Sequence, residues 1–556
     1  MISKIFGNNY KAFESFEFDL APITVLLGAN SCGKSALINL LLMLSQTADN
    51  INNSDSALRL NGNKVGMGEA LNLIRGKNEK TSIDIGFEFS NKTEFDTTQG
   101  LTTESIIERY YYLFRTAEHI FRRQRTIKNN NEFNNEYLSN IDKYMFKIAD
   151  GNNEKYYNEL YSSLSDSIKK YRKISTNLSI EDQKDSFIDR FSESDYFLKN
   201  VSYVRLKEWL LELEKLKHEE LNPKEICYKF KYIDAIGELE ISSFKIKNLN
   251  EKTIIHVIKK DGFKQLEIKS DIFNEKTLAI SEPLIRKNLN FKSLSLIDAN
   301  QKTLKENPYA EGVINVINKV TNVLIRELKE TKINHVSPLR AFPRRYYLLE
   351  KSAQHTFLNA LEGTDLAEIL KKREDIKNKI NLHLAVFDLA IDVEKVNDII
   401  HKITVTQGAV NLELTDVGFG ISQVIPIIVQ AYLCPPESTT IIEQPEIHLH
   451  PKMQAWLTDA LVKIAINENK KFIIETHSES IIRRLRLRLV DTKSNLELQH
   501  LKIYHLERNS HTCTTTINEV ALTEYGDIEW PKGFMDIEIE DTIKIQAYKA
   551  SLKSLK

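Results

Sequence analysis

The sequence predicts an α/β protein with a mixed-sheet N-terminal lobe, an α/β C-terminal lobe and a large helical insertion. Three observations predict it. The apolar run Ile23 to Leu27 ends at a glycine and is followed at once by a helix too densely apolar for a surface position, the pattern of a buried strand feeding a buried helix. From about Thr364 to Thr492, helical periodicity alternates with short apolar runs, as in layered α/β folds. Between residues 101 and 231 both signals give way to polar helical periodicity rich in Lys, Glu, Asn and Tyr.

In chain order, Ile2 to Phe6 and the alternation Phe16, Phe18, Leu20 read as the first strands. After the run Ile23 to Leu27, the helix from Lys34 carries Leu37, Ile38, Leu40, Leu41, Leu42 and Leu44, so it packs deep against a sheet. Thr81 to Phe89 and Gly237 to Lys247 follow as strands, and a hairpin flanks Asp261-Gly262, a dipeptide suited to positive φ. Helical periodicity marks Ile106 to Arg125, Tyr156 to Ser175 and Val204 to Lys217 inside the insertion, then Ala310 to Glu330 beyond it. Val336 to Leu349 contains Pro338, Arg340, Pro343, Arg344 and Arg345 and reads as a rigid connector, since each proline fixes φ. The expected divisions are residues 1–100, an N-lobe with a phosphate loop; 101–231, the insertion; 232–300, further N-lobe strands; 301–350, a helical connector; 351–495, the C-lobe; and 496–556, C-terminal strands and a tail.

With 556 residues, 42% hydrophobic and 28% charged, the chain has the composition of a globular protein of more than one lobe. The longest apolar runs, Ala36 to Leu44 and Val424 to Val429, fall short of a bilayer span, and the N-terminus lacks a signal-peptide pattern. The expected location is the cytoplasm, with no membrane partner. Cys32, Cys227, Cys434 and Cys513 are scattered, without the spacing of a zinc site or the density of a disulfide scaffold. Lys plus Arg number 76 against 77 Asp plus Glu, so no global charge draws the chain to nucleic acid. Such contact would need local patches in the insertion: Arg122, Arg123 and Arg125, or Lys169, Lys170, Arg172 and Lys173 around Tyr171. The competing reading of the insertion is a solvated arm.

The chemistry concentrates in four places. Gly28-Ala29-Asn30-Ser31-Cys32-Gly33-Lys34-Ser35, continued by Ala36, satisfies the phosphate-loop pattern between an apolar strand and a helix. Its glycines permit a tight loop whose N–H groups surround phosphate oxygens, Lys34 reaches the outer phosphates of ATP, and Ser35 offers a hydroxyl to Mg²⁺. Thr439 to Glu446 reads as a buried strand ending in acids, which places Glu443 near that Mg²⁺ and Gln444 beside it. A second apolar strand, Phe472 to Ile474, ends in Glu475-Thr476-His477-Ser478, where the imidazole of His477 is in place to meet a γ-phosphate. Between the phosphate loop and the acidic strand, Asp416 to Gln423 opens an apolar helix with Gly420, Ser422 and Gln423 at another anion-favouring N-terminus.

The order of phosphate loop, signature-like turn, acidic strand and switch histidine resembles that of ABC-type ATPase heads related to SMC, RecF, the double-strand-break repair ATPases and the overcoming-lysogenization-defect proteins. The matching pieces include Ser337-Pro338-Leu339-Arg340, Val417 to Gln423, Glu443 to Pro451, Glu475 to Ser478 and Trp530 to Phe534. The resemblance is strongest to a prokaryotic subgroup of AAA-type ATPases, some of which serve as the ATPase subunit of Septu-type antiphage systems, including retron-associated versions. It implies a homodimer with composite ATP sites, each joining the phosphate loop of one copy to the signature turn of the other. It further implies a separate HNH nuclease subunit as partner and, in the retron version, a reverse transcriptase with its single-stranded DNA. Relative to that family, Gln444 stands where a catalytic carboxylate is usual, so hydrolysis is expected to be slow, with Glu446 as a substitute. The turn lacks the usual Ser-Gly-Gly order, and Gln46 lies too close to the first helix to be the family's loop glutamine. His448, His450 and His477 invite a metal reading, but the family places a dimer-contacting loop there. The acidic Asp536, Glu538, Glu540 and Asp541 read as a solvated tail rather than a nuclease centre. The alternative function is a DNA repair or chromosome-maintenance ATPase acting directly on DNA; a transporter's ATPase subunit has no reason to carry the insertion.

Overall fold

The computed structural model describes residues 1–51, 56–91, 93, 95, 209, 212, 215–260, 264–298, 307–340, 343–348, 365–530 and 536–554. The basic clusters and the helices expected between 101 and 208 lie outside the described residues. The chain divides into two compact units, one formed by Met1–Lys92, Tyr228–Ile241 and Leu324–Lys556, the other by Thr93–Cys227 and Ser242–Val323.

The first unit is organised by a mixed sheet. Strands β1 (Ile2–Tyr10), β2 (Phe13–Asp19), β3 (Ile23–Gly28) and β4 (Ile83–Phe89) come from the N-terminal segment. They are joined by strands from far along the chain, β9 (Ile333–Val336), β14 (Thr439–Glu443), β15 (Lys471–Glu475), β16 (Leu501–Asn509) and β17 (Thr514–Glu519), in the order β4-β1-β2-β17-β16-β3-β15-β14-β9. Pairing is antiparallel among β4, β1 and β2 and parallel from β16 through β9. Strand β3 is buried at all six positions, as a parallel strand covered on both faces should be. Strand β2 shows the alternating pattern of a half-covered one.

Helix α1 (Lys34–Asp49) follows β3, and Leu37, Ile38, Leu40, Leu41, Leu42 and Leu44 are all buried on it, each side chain contributing roughly 2 kcal/mol. Gln46 is also buried; its amide donates to the carbonyls of Arg59 and Val65 and its oxygen accepts from Val65 N, so it fastens the following loop instead of reaching a nucleotide. The C-terminal half supplies α4 (Leu366–Lys372), α5 (Glu374–Leu384), α6 (Phe419–Leu433), α7 (Pro451–Asn467) and α8 (Glu479–Val490), which share one apolar core with β3, β14 and β15. A small antiparallel sheet of β10 (Tyr347–Leu348), β12 (Ile400–Gln407), β11 (Leu389–Lys395) and β13 (Val410–Glu413) completes the unit.

Three boundaries differ from the sequence reading. Strand β5 (Pro223–Ile233) begins inside the span 101–231 assigned to the insertion, because its alternating buried residues Ile226, Tyr228 and Phe230 are set among Lys224, Glu225, Lys229 and Lys231, which give the segment a polar composition. The strands expected to continue the N-lobe after 232 fall largely in the second unit: β6 (Glu238–Asn248), β7 (Thr253–Lys260) and β8 (Gln265–Lys269) form an antiparallel meander, and the dipeptide at 261–262 lies outside the described residues. Helix α2 (Glu275–Asn288) begins there at Asn274, whose side chain accepts from Lys276 N and Thr277 N. Helix α3 (Pro308–Leu328) buries the stripe Val313, Ile317 and Val320. Finally, the tail is helical: α9 (Asp536–Ser554) is exposed along its described residues from Glu540 to Lys549. Among the described residues, no helix is long and apolar enough to cross a membrane.

Candidate functional site, a nucleotide-binding centre at three strand ends

The phosphate loop joins β3 to α1. Gly28 has φ 143° and Gly33 φ 109°, both outside the range open to most side chains. A Cβ on Gly28 would lie 2.4 Å from the Leu506 carbonyl oxygen of β16, and one on Gly33 would lie 2.9 Å from the ring of Phe13. Ser31 also takes a left-handed turn, φ 63°, with its carbonyl accepting from Arg508 Nη1 at 3.3 Å. No side chain caps α1 at Gly33, which leaves its first N–H groups to an anion. Ser35 is exposed and Ala36 half-buried at the helix start. Lys34 is buried and turned back on the loop, donating to Gly28 O at 2.9 Å and Ala29 O at 3.0 Å. Cys32 is buried with its sulfur 3.9 Å from that ammonium.

The acidic strand is two places from β3 in the sheet, with β15 between, and all three run parallel. Glu443 is the register partner of Glu475, and Glu475 that of Leu26, so both acids emerge at the level of the phosphate loop. Glu443 Oε1 lies 2.6 Å from Nε2 of His335 on β9, a residue the sequence reading passed over. Glu475 is 4% exposed, with Oε1 3.8 Å from Lys34 Nζ. Burial raises its pKa to about 7; the charge of Lys34 opposes this, while Glu443 and Glu446 reinforce it.

Beyond the strand ends the chain is held by cross-links. Gln444 takes φ 42° and its N–H donates to Glu475 O at 2.8 Å. The carbonyls of Glu443 and Gln444 accept from Arg340 Nη2 at 3.1 and 3.3 Å. Arg340 is 5% exposed, and burial lowers its pKa to about 10 against the pull of Glu446. Glu446 faces inward, its Oε1 accepting from His477 N at 2.7 Å. The His477 side chain is exposed; partial desolvation and the Lys34 charge hold its pKa below the ordinary value, with Glu446 opposing. Ser478 caps α8 through Ile481 N, and His450 caps α7 by accepting from Lys452 N, a helix-starting role for that histidine.

The signature-like turn opens the apolar helix α6. Helix α6 starts after Gly418, and the nearest neighbours of a Cβ on Gly420 would be Leu449 and the carbonyl of His448. Ser422 and Gln423 are each 3% exposed, so both are packed into the core. The sequence reading placed them as phosphate contacts by position in the motif, but one turn into an apolar helix they fall on its packed side.

The strand register thus places the phosphate loop, Glu443, Gln444 and His477 at one end of the sheet, with Arg340, His335, Glu446 and Glu475 beside them. For Mg²⁺ the residues fit: the Ser35 hydroxyl, the Glu443 carboxylate and the unpartnered, buried Oε2 of Glu475 offer oxygen donors of the kind this ion takes together with phosphate oxygens. The fold and site define a phosphate-loop ATPase domain. The chain belongs to the AAA ATPase domain family, whose model matches residues 1–482.

Among solved structures, the chain is similar to the SMC head domain from Thermotoga maritima, at 7% identity, covering 94% of this chain and 99% of that one, with a TM-score of 0.32. It is similar to an Smc head bound to the C-winged helix domain of ScpA, at 8% identity, covering 94% and 98%, TM-score 0.36. A third is an Smc head with an extended coiled coil bound to the C-terminal domain of ScpA, derived from Pyrococcus furiosus, at 9% identity, covering 99% of each chain, TM-score 0.32. A search of the curated proteins finds no match.

Proposed function

We propose that this chain is an ABC-type ATPase that closes as a homodimer around ATP and Mg²⁺ and hydrolyses it slowly, acting as a nucleotide-dependent clamp on a partner. The observation that carries the reading is the end of β14, where the residue beside the metal-facing Glu443 is an amide, Gln444. A glutamine orients water but is a poor proton acceptor, so the chemical step loses its usual base. In this reading Lys34 and the N–H groups of the loop bind the phosphates, Ser35 and Glu443 hold Mg²⁺, and His477 contacts the γ-phosphate. The start of α6 with Gly420, Ser422 and Gln423 meets the other copy's nucleotide, which requires that turn to rearrange on closure.

The resemblance to Septu-type subunits makes a separate HNH nuclease the partner to test, with the ATP state of the dimer restraining or licensing it. A retron setting adds a reverse transcriptase and its single-stranded DNA, and the basic clusters at 122–125 and 169–173, which lie outside the described residues, are the ones to test for nucleic acid.

The experiment is steady-state ATP hydrolysis by the wild type, Gln444→Glu and Lys34→Ala, with native mass in ATP and Mg²⁺. The reading expects slow turnover by the wild type, an increase of at least about tenfold in Gln444→Glu, and an ATP-dependent dimer that Lys34→Ala fails to form. Brisk wild-type turnover that Gln444→Glu leaves unchanged would overturn it, and stimulation by DNA ends would favour the repair or chromosome-maintenance reading instead.

A further inference from the structure

One acid of the site comes from β15 rather than from β14 or the turn after it, and its arrangement assigns that acid a task. Glu475 sits at the end of β15, in register with Glu443 on one side and beside the phosphate-loop strand on the other. It is 4% exposed; one carboxylate oxygen faces Lys34 at 3.8 Å and the other has no hydrogen-bond partner. Lys34, the side chain meant for the outer phosphates, is engaged by Glu475 and by the loop's own carbonyls.

Arg340 supplies an independent observation. Its buried guanidinium bonds the Glu443 and Gln444 carbonyls through Nη2, while Nε and Nη1 have no partner, as does the buried Oε2 of Glu446 nearby. Three acids, Glu443, Glu446 and Glu475, thus face two permanent cations, Lys34 and Arg340, with the imidazoles of His335 and His477 at the margin. Three carboxylates beside two cations repel one another while all are charged, so the Glu443–Glu475 pair favours either a shared proton or a further cation.

We propose that Glu475 is a metal-linked carboxylate: without nucleotide it holds Lys34 back, and when a nucleotide-bound divalent cation meets the Glu443–Glu475 pair, Lys34 is released to the phosphates. The proposal rests on the ATP-binding reading above. It makes the cation and the lysine exchange places as counter-charge for the same acids, which a carboxylate with a merely structural role would not do.

The test is equilibrium binding of a fluorescent ATP analogue, in Mg²⁺ and in EDTA, to the full-length wild type, Glu475→Gln, Glu475→Asp and Lys34→Ala, with melting curves to verify folding. The wild type is expected to bind more tightly in Mg²⁺. Glu475→Gln is expected to shrink that ratio about tenfold, in part by binding metal-free nucleotide more tightly than the wild type, because a like charge is gone. Glu475→Asp, which keeps the charge, is expected to retain most of the ratio. If Glu475→Gln does not fold, Glu475→Ala is read in its place. A neutral variant that folds and keeps the wild-type ratio overturns the proposal. Lys34→Ala binding the analogue as well as the wild type would instead sink the ATP-site reading on which it rests.

Discussion

Gln444 and Gly28 show how much one position decides here. At Gln444 the backbone is left-handed and tied to β15, so the side chain is placed by the sheet rather than by its own preference. Gln444→Glu should therefore change chemistry more than structure. Gly28 is the opposite case, since any side chain meets Leu506 O of the neighbouring strand at 2.4 Å and a φ of 143° besides. We expect Gly28→Ala to cost about 2 kcal/mol or more of stability and to abolish nucleotide binding, read by thermal melting and by titration with a fluorescent ATP analogue. His335 was invisible to motif reading because it lies 108 residues before Glu443 and reaches it only through the β9–β14 register, in which His335 faces Ile441.

At the level of elements, α7 and α8 are clamped together by Asp459, whose carboxylate accepts from Arg484 Nε at 2.7 Å and Arg488 Nε at 2.6 Å. Burial alone would raise the Asp459 pKa, but the hydrogen bonds from Arg488 and Arg484 outweigh it and hold the group below its ordinary 3.8. A depressed acid stabilises the fold above its unfolded-state value and loses that contribution as pH falls through the folded-state value. Asp459→Asn should cost about 1–2 kcal/mol at pH 7, seen as a lower urea midpoint, and the difference from wild type should narrow toward pH 3. Equal midpoints at pH 7 would show the clamp to be idle. The alternation of helices and apolar strands between Thr364 and Thr492 was legible in sequence, whereas the clamp was not, because Asp459 lies 25 residues from Arg484 and meets it only when α7 and α8 pack together.

On the scale of the whole nucleotide-binding unit, the first and late strands are bound into one body. Lys471, at the start of β15, donates to Ile2 O of β1 at 2.9 Å, and burial lowers its pKa to about 8 despite the charges of Glu327 and Glu437. A lysine whose folded-state pKa is lowered is a liability while charged, so stability attributable to it rises as pH climbs from about 8 toward its unfolded value. The wild type should gain about 2 kcal/mol over that window relative to Lys471→Met, measured as the difference in melting temperature between the two at pH 7.5 and 10. A constant difference would refute it. The same scale governs assembly: ATP with Mg²⁺ is expected to double the native mass, and Lys34→Ala to stay monomeric.

The phosphate-loop pattern, the strand ending at Glu443, the strand end carrying His477 and the buried first helix were legible in sequence because each depends on residues adjacent in the chain, where spacing and periodicity carry the physics. The sequence by itself determined an α/β phosphate-loop protein. Only the tertiary structure decided that β3 lies between β15 and β16, strands hundreds of residues downstream, so that the expected N- and C-lobes share one sheet. That pairing brings Glu475 to Lys34 and Arg340 to the end of β14, and helix packing turns Ser422 and Gln423 inward. Such contacts depend on register and on which face of an element is covered, quantities that local sequence leaves open until the strands and helices have chosen their neighbours.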